Sequence, residues 1–268
     1  MLISMLTFSF IFFIFGLIVG SFLNVLVYRL KDAETLLGRS LCRHCKHQIR
    51  WYDNIPLISF VLLRGACRDC DTEISWQYPA LELLTGILFA LAGLLFFFPG
   101  DMLSWAETLW LLGVISCLLV IGAYDMRHME VPLSMLIISV LLTYVFFTTY
   151  FFLAAEPFLA SRFWYGLLGG LSVGGFFFAL VSLSRETWMG WGDVWLGFVA
   201  GSVVGLPYVL PMLTLSFGLG AAIGIIAIAY QQRRLKSQVP FAPFLAFGAI
   251  VTLFLSEAFP FFFRFFIL

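Results

Sequence analysis

The sequence predicts an all-α polytopic membrane protein of about eight transmembrane helices, with a cytoplasmic zinc-binding loop between the first two. Three observations carry that expectation. Of 268 residues, 62% are hydrophobic and 11% charged, against roughly a quarter charged in soluble domains. The apolar residues fall into runs near the roughly 20 residues that a helix needs to cross a bilayer. The basic residues cluster in alternate connecting segments, the pattern of a chain that keeps its positive charge on one side of the membrane. The formal net charge is zero. That balance offers no electrostatic reason to expect a nucleic-acid partner, and lipid is the expected surrounding.

The first span is expected over residues 3–28. It lacks a basic leading region and a small-residue cleavage site, and its apolar run is too long for a signal-peptide core, so it reads as a retained helix. Further spans are expected at 79–98, 103–124, 131–154, 162–183, 193–206, 207–231 and 240–262. The sixth is short, about 14 residues or ~21 Å at 1.5 Å per residue. Such a length is tolerable where its Asp193 end opens into a wet cavity. Fusing residues 193–231 into one helix gives a seven-span alternative, against which Gly205, Pro207 and Pro211 argue for a break.

With eight spans, segments 29–78, 125–130, 184–192 and 232–239 share one side of the membrane. They contain 13 of the 15 Lys and Arg residues, including Arg233, Arg234 and Lys236; only Arg162 and Arg264 fall outside. The positive-inside rule then places residues 31–78 in the cytoplasm and both termini on the far side. The expected division is a first helix at 1–30, a cysteine loop at 31–78 and a membrane domain at 79–268.

Residues 42–70 read "CRHCKHQIRWYDNIPLISFVLLRGACRDC", two C-x-x-C pairs separated by 21 residues. Each pair offers two thiolates, and Cys42, Cys45, Cys67 and Cys70 together complete a tetrahedral Zn²⁺ site with no open position, so the metal would be structural. A reducing cytoplasm disfavours disulfides. Four free thiols or a redox pair are the alternatives. His44 and His47 read as surface residues, and Cys117 as a packing residue within the third span.

Two acids sit at span boundaries: Asp125 in "GAYDMRHMEVP" and Asp193 in "GWGDVW". Carboxylates at membrane depth cost a few kcal/mol. By the topology both lie at cytoplasmic helix ends, where two carboxylates in one cavity can work as general acid and general base on water and a scissile amide. Gly190 and Gly192 are expected to permit unusual backbone geometry and close approach of an extended segment. Structural capping is an alternative, favoured for Asp193 at a helix start and less so for Asp125 at a helix end. An ion- or proton-coupled transport site is another.

Taken in order, "GSFLNVLVYRL" (20–30), the two C-x-x-C pairs, "WYDNIPLISF", "SWQYPALELLTG" (75–86), Asp125, "GWGD" and "PFAPFLAFGA" (240–249) resemble type IV prepilin peptidases over nearly the whole chain. The resemblance implies a bacterial inner-membrane aspartic peptidase that removes the basic leader of type IV prepilins or pseudopilins at the cytoplasmic face. It further implies N-methylation of the new N-terminal residue with S-adenosylmethionine. Carried onto this chain, Asp125 and Asp193 are the catalytic pair, Gly190 and Gly192 complete their motif, and residues 79–268 are the peptidase domain. Cys42, Cys45, Cys67 and Cys70 match the cysteine module of bifunctional members, and Glu82 is a cofactor contact through the resemblance alone. The family commonly carries Lys two residues after the motif aspartate; here that position is Trp195. A zinc-stabilised proton-coupled transporter is the competing functional class.

Overall fold

A computed structural model describes residues 2–31, 38–229 and 240–259. Arg233, Arg234, Lys236 and Arg264, and the outer ends of the seventh and eighth expected spans, lie outside the described residues. Among those described, the regular structure is helical, with only two isolated β-bridges. The expected eight spans correspond to α1 (Leu2–Arg29), α3 (Gln77–Leu95), α4 (Met102–His128), α5 (Leu133–Ala154), α6 (Arg162–Ser184), α7 (Trp191–Val204), α8 (Val209–Ala229) and α9 (Ala242–Ala258), with α2 (Ile58–Leu62) a short additional helix in the first loop. Six are long and apolar enough to cross a membrane, and α7 and α9 are shorter.

The seven-span alternative fails at Gly205. Its φ of +77° ends α7, and a 3₁₀ turn over Leu206–Tyr208 separates it from α8. A left-handed φ suits glycine, and Pro207 has no N–H to continue the helix.

The chain divides into two compact units at Phe97/Phe98. The second span packs in one unit with the first. The physical reason lies in α1. A Cβ on Gly16 would sit 2.7 Å from the Thr85 carbonyl oxygen, and one on Gly20 would sit 2.7 Å from the Glu82 Cα. Two small residues four apart let the α1 and α3 backbones touch, the arrangement that holds helices together where lipid removes the hydrophobic driving force. The Asn24 amide joins the pair by donating to the carbonyls of Gly20 and Tyr78 at 3.3 and 3.2 Å.

In the second unit α4 is the central helix: Leu111, Val114, Ile115, Leu118, Val120 and Ile121 are fully buried. Its start is capped by Asp101, which accepts the N–H groups of Leu103 and Ser104. Helix α7 packs along α6 with Gly169 against Gly201, and α9 packs against α4, α7 and α8. The short α7 is almost wholly enclosed by protein along its later turns, which is why 14 residues serve where a lipid-facing helix would need more.

Candidate active site

Asp125 lies in the last turn of α4, one turn before Met129, whose left-handed conformation ends the helix. A carboxylate there faces the negative end of its own helix dipole. The structure supplies the compensation from elsewhere. Asp125 Oδ2 accepts the N–H of Ala242 at 3.1 Å, and Ala242 is the first residue of α9. The next residue, Pro243, has no N–H, and Phe244 and Leu245 both bond back to the Phe241 carbonyl. Asp125 therefore takes a donor that its own helix cannot satisfy, at the positive end of α9. The structural reason for an acid at this helix end lies 117 positions away in the chain.

Asp193 occupies the third position of α7 and is half-buried. Its Oδ2 accepts the Gly190 N–H at 3.4 Å and its own N–H donates to the Gly190 carbonyl at 3.1 Å. This is the capping geometry expected of an acid at a helix start. Asp125 is buried. The loop after α4 reaches the start of α7: a Cβ on Gly192 would lie 2.9 Å from Val131 Cγ2. The end of α4 that carries Asp125 thus bonds to the start of α9, and the loop that follows it touches α7 at Gly192, the residue before Asp193.

The two motif glycines differ in role. Gly192 allows the Val131 contact. Gly190 has φ −92° and ψ 164°, ordinary extended backbone, and a Cβ there would meet nothing within 4 Å. The expected unusual backbone at these positions is absent, and what Gly190 leaves is open space beside Asp193. Trp191 closes one flank through an Nε1–H donated to Glu186 at 2.7 Å. Trp195, one helical turn from Trp191, is exposed.

The cysteine loop belongs to the first unit. The Sγ atoms of Cys42, Cys45, Cys67 and Cys70 all lie within 4.8 Å of one another, with Cys42 and Cys70 at 3.8 Å. A tetrahedral site with Zn–S bonds of about 2.3 Å requires sulfur separations of about 3.8 Å, so the four thiols fit zinc. Both knuckles are built alike. The Cys42 N–H donates to the His47 carbonyl and the Lys46 N–H to the Cys42 carbonyl, each at 2.9 Å. The Cys67 N–H donates to Thr72 and the Asp71 N–H to Cys67 at the same distances, and Lys46 and Asp71 share a left-handed φ. The Thr72 hydroxyl and backbone draw Cys70 down to about 6, whereas desolvation and the neighbouring thiols push Cys45 up to about 11, so the cluster divides between thiolate and thiol. Arg68 forms a two-pronged ion pair with Asp53, bracing the second knuckle against the intervening chain.

Glu82 is buried in α3. Its Oε2 accepts the Leu57 N–H at 2.9 Å. Ala242 and Leu57, the donors that engage Asp125 and Glu82, act through backbone N–H groups and so escape a reading based on side chains. One signal was available for the first: a proline at the second position of a helix marks a start whose leading N–H groups need outside acceptors.

Comparison with known proteins divides the chain at the same place as its packing. Residues 14–96 match the family model for the bacterial peptidase A24 N-terminal domain, and residues 112–225 match that of the type IV leader peptidase family. A prepilin leader peptidase/N-methyltransferase of Bacillus subtilis is 31% identical, covering 90% of this chain and 92% of the relative. A type 4 prepilin-like proteins leader peptide-processing enzyme of Escherichia coli is 33% identical over 91% of this chain and 93% of the relative. A prepilin leader peptidase/N-methyltransferase of Stutzerimonas stutzeri is 31% identical over 90% and 88%. No solved structure matches the chain.

Proposed function

Because the chain belongs to the type IV leader peptidase family, we propose that Asp125 and Asp193 are its catalytic pair and that it cleaves the leader from type IV prepilins or pseudopilins. The observation that supports the assignment is that Asp125 is bonded to the start of α9 while the loop after it touches Gly192, next to Asp193, each acid being held by a backbone N–H. One carboxylate, ionised, takes a proton from water as the oxygen adds to the scissile carbonyl. The other, protonated, gives its proton to the carbonyl oxygen. Collapse of the tetrahedral species breaks the C–N bond: the leaving amine takes a proton from the carboxyl that gained one, and a hydroxyl of the gem-diol returns its proton to the other, restoring the pair. No covalent enzyme intermediate is needed. Ala242 holds one Asp125 oxygen in place, and the space beside Gly190 admits an extended peptide next to Asp193.

Membership of this family favours peptide processing over a proton-coupled transporter. The helices make the protein multi-pass, and the basic segments support an orientation with the aspartates and cysteine loop in the cytoplasm and both termini in the periplasm. A substrate with a basic leader and an apolar helix would then enter from the inner membrane and present its junction at that face.

The relatives' names include N-methyltransferase, and we assign that second activity to the first unit, residues up to Phe97. S-adenosylmethionine would supply the methyl group, and Glu82 is carried over from the resemblance as its contact. The four cysteines would hold zinc as a structural ion. The deciding experiment incubates purified protein with a prepilin, with and without S-adenosylmethionine, and weighs the products. Loss of the leader mass in both samples, and a further gain of about 14 Da from one methyl only with the donor, supports both assignments. An unchanged prepilin mass would sink the peptidase reading.

A further inference from the structure

Residues 55–62 carry a feature that the division into spans and loop does not use. Helix α3 has 19 residues, about 28 Å at 1.5 Å per residue, and so has no length to spare in crossing a hydrocarbon core of about 30 Å. Glu82 lies five residues into that helix, roughly 7 Å below its first residue. Its carboxylate accepts the Leu57 N–H at 2.9 Å. The loop therefore reaches the level of the Glu82 carboxylate, which leans back over the first turn of α3, before it returns. By Phe60 it has climbed back, with the Phe60 ring 4.9 Å from that of Trp76, immediately before α3.

The turn at the bottom is a tight one. The Ile58 N–H donates to the Pro56 carbonyl at 2.6 Å around Leu57, which has φ 59° and ψ −47°. A γ-turn of this hand is rare for a residue with a side chain and persists where neighbours hold it. Glu82 is such a neighbour. The Ser59 hydroxyl adds a second tie, accepting from the Ile55 N–H and donating to the Tyr52 carbonyl.

Helix α2 turns Ser59 inward and leaves Ile58, Val61 and Leu62 exposed, the last two at 72% and 74%. Positions i, i+3 and i+4 lie on one helix face. Trp51 and Trp76 flank it, each more than three-quarters exposed, and Arg50 and Arg64 are exposed on either side. Aliphatic residues between tryptophans and arginines are the composition of a segment at the boundary of acyl chains and headgroups. Arginines also complement anionic phosphates there.

We propose that residues 55–62 form a re-entrant segment whose exposed face, Ile58, Val61 and Leu62, is seated in the bilayer at the headgroup–acyl boundary and is pinned there by the Leu57–Glu82 hydrogen bond. The cysteine module then rides on the membrane surface at a fixed height instead of hanging free in solution. Irregular backbone at this depth is tolerated because protein groups satisfy it: Leu57 by Glu82, and Ile55 by Ser59.

The test uses full-length, zinc-loaded Cys117→Ala protein in nanodiscs of phosphatidylethanolamine and phosphatidylglycerol. Single nitroxides are placed at Ile58→Cys, Leu62→Cys and, as an aqueous reference on the first knuckle, Gln48→Cys. Zinc content is checked after labelling. Power saturation with oxygen and with a water-soluble nickel chelate reads immersion. Oxygen is expected to outweigh nickel several-fold at positions 58 and 62, more so at 58, and the order to reverse at 48. Nickel dominating at 58 and 62 would place the segment in water and overturn the proposal. Exclusion of both reagents would mean protein covers the face, which also overturns it. Glu82→Ala should bring the ratio at 58 towards that at 48, while Glu82→Gln, whose amide oxygen still accepts the Leu57 N–H, should keep it. An unchanged ratio in a folded Glu82→Ala protein would refute the pin. None of these readouts depends on peptidase activity.

Discussion

Asp125 on α4 and Ala242 at the start of α9 are joined by one hydrogen bond of 3.1 Å that gives a buried carboxylate its partner and a helix start its acceptor. The same acid is one of the two assigned to peptide hydrolysis. Structure and chemistry can be separated there, because asparagine keeps an acceptor oxygen while removing the ionisable group.

Asp125→Asn and Asp193→Asn should each reduce leader removal by about 10²–10⁴-fold or more, the range of general acid–base catalysis, at unchanged membrane levels. Asp125→Ala should lose the same activity and also stability, because the buried Ala242 N–H is left without a partner at a cost of about 1–3 kcal/mol. Prepilin processing on gels, together with detergent melting curves, separates the two effects. Full cleavage by folded Asp193→Asn protein would end the dyad mechanism.

The two glycines should respond differently. In Gly192→Ala the new methyl meets the stiff, branched Val131 at 2.9 Å, so overpacking of about 1–3 kcal/mol is expected, partly offset by the better helix propensity of alanine. Gly190→Ala meets no protein atom within 4 Å. It should melt like the unaltered protein and show its effect in KM, because its side chain enters the space given to substrate. A stability loss at Gly190 as large as that at Gly192 would contradict this division.

Cleavage should fall where a basic leader meets an apolar helix. Mass spectrometry of the new N-terminus checks it. A cut deep within the apolar segment, or on the periplasmic side, would contradict the proposed orientation.

Elemental analysis should find about one zinc per chain, as four thiolates predict. Chelation, or Cys42→Ser, should release it and raise hydrogen exchange across residues 41–74, where paired knuckle hydrogen bonds depend on the metal. Acidification should do the same, since ligands must stay deprotonated. Leader cleavage should survive at least in part because Asp125 and Asp193 lie in the other compact unit. Metal-free protein with intact cysteines and undisturbed exchange would refute the site.

Much of this protein could be read from residue order alone. Apolar runs separated by charged segments mark helices because every backbone group in lipid must bond within its own helix. The break at Gly205 and Pro207 was legible for the same local reason, and so were the two knuckles, since each C-x-x-C turn closes within six residues of chain. Tertiary structure decided what depends on distant partners. Helices apolar on nearly every side do not announce which neighbour they choose, and here the α1–α3 pairing rests on backbone approach at Gly16 and Gly20. The acceptor roles of Asp125 and Glu82 were hidden because their donors, Ala242 and Leu57, are main-chain N–H groups, which every residue except proline carries and no side chain labels. The open space at Gly190 and the contact at Gly192 were likewise indistinguishable as letters, because a glycine's reason lies in the atoms that surround it.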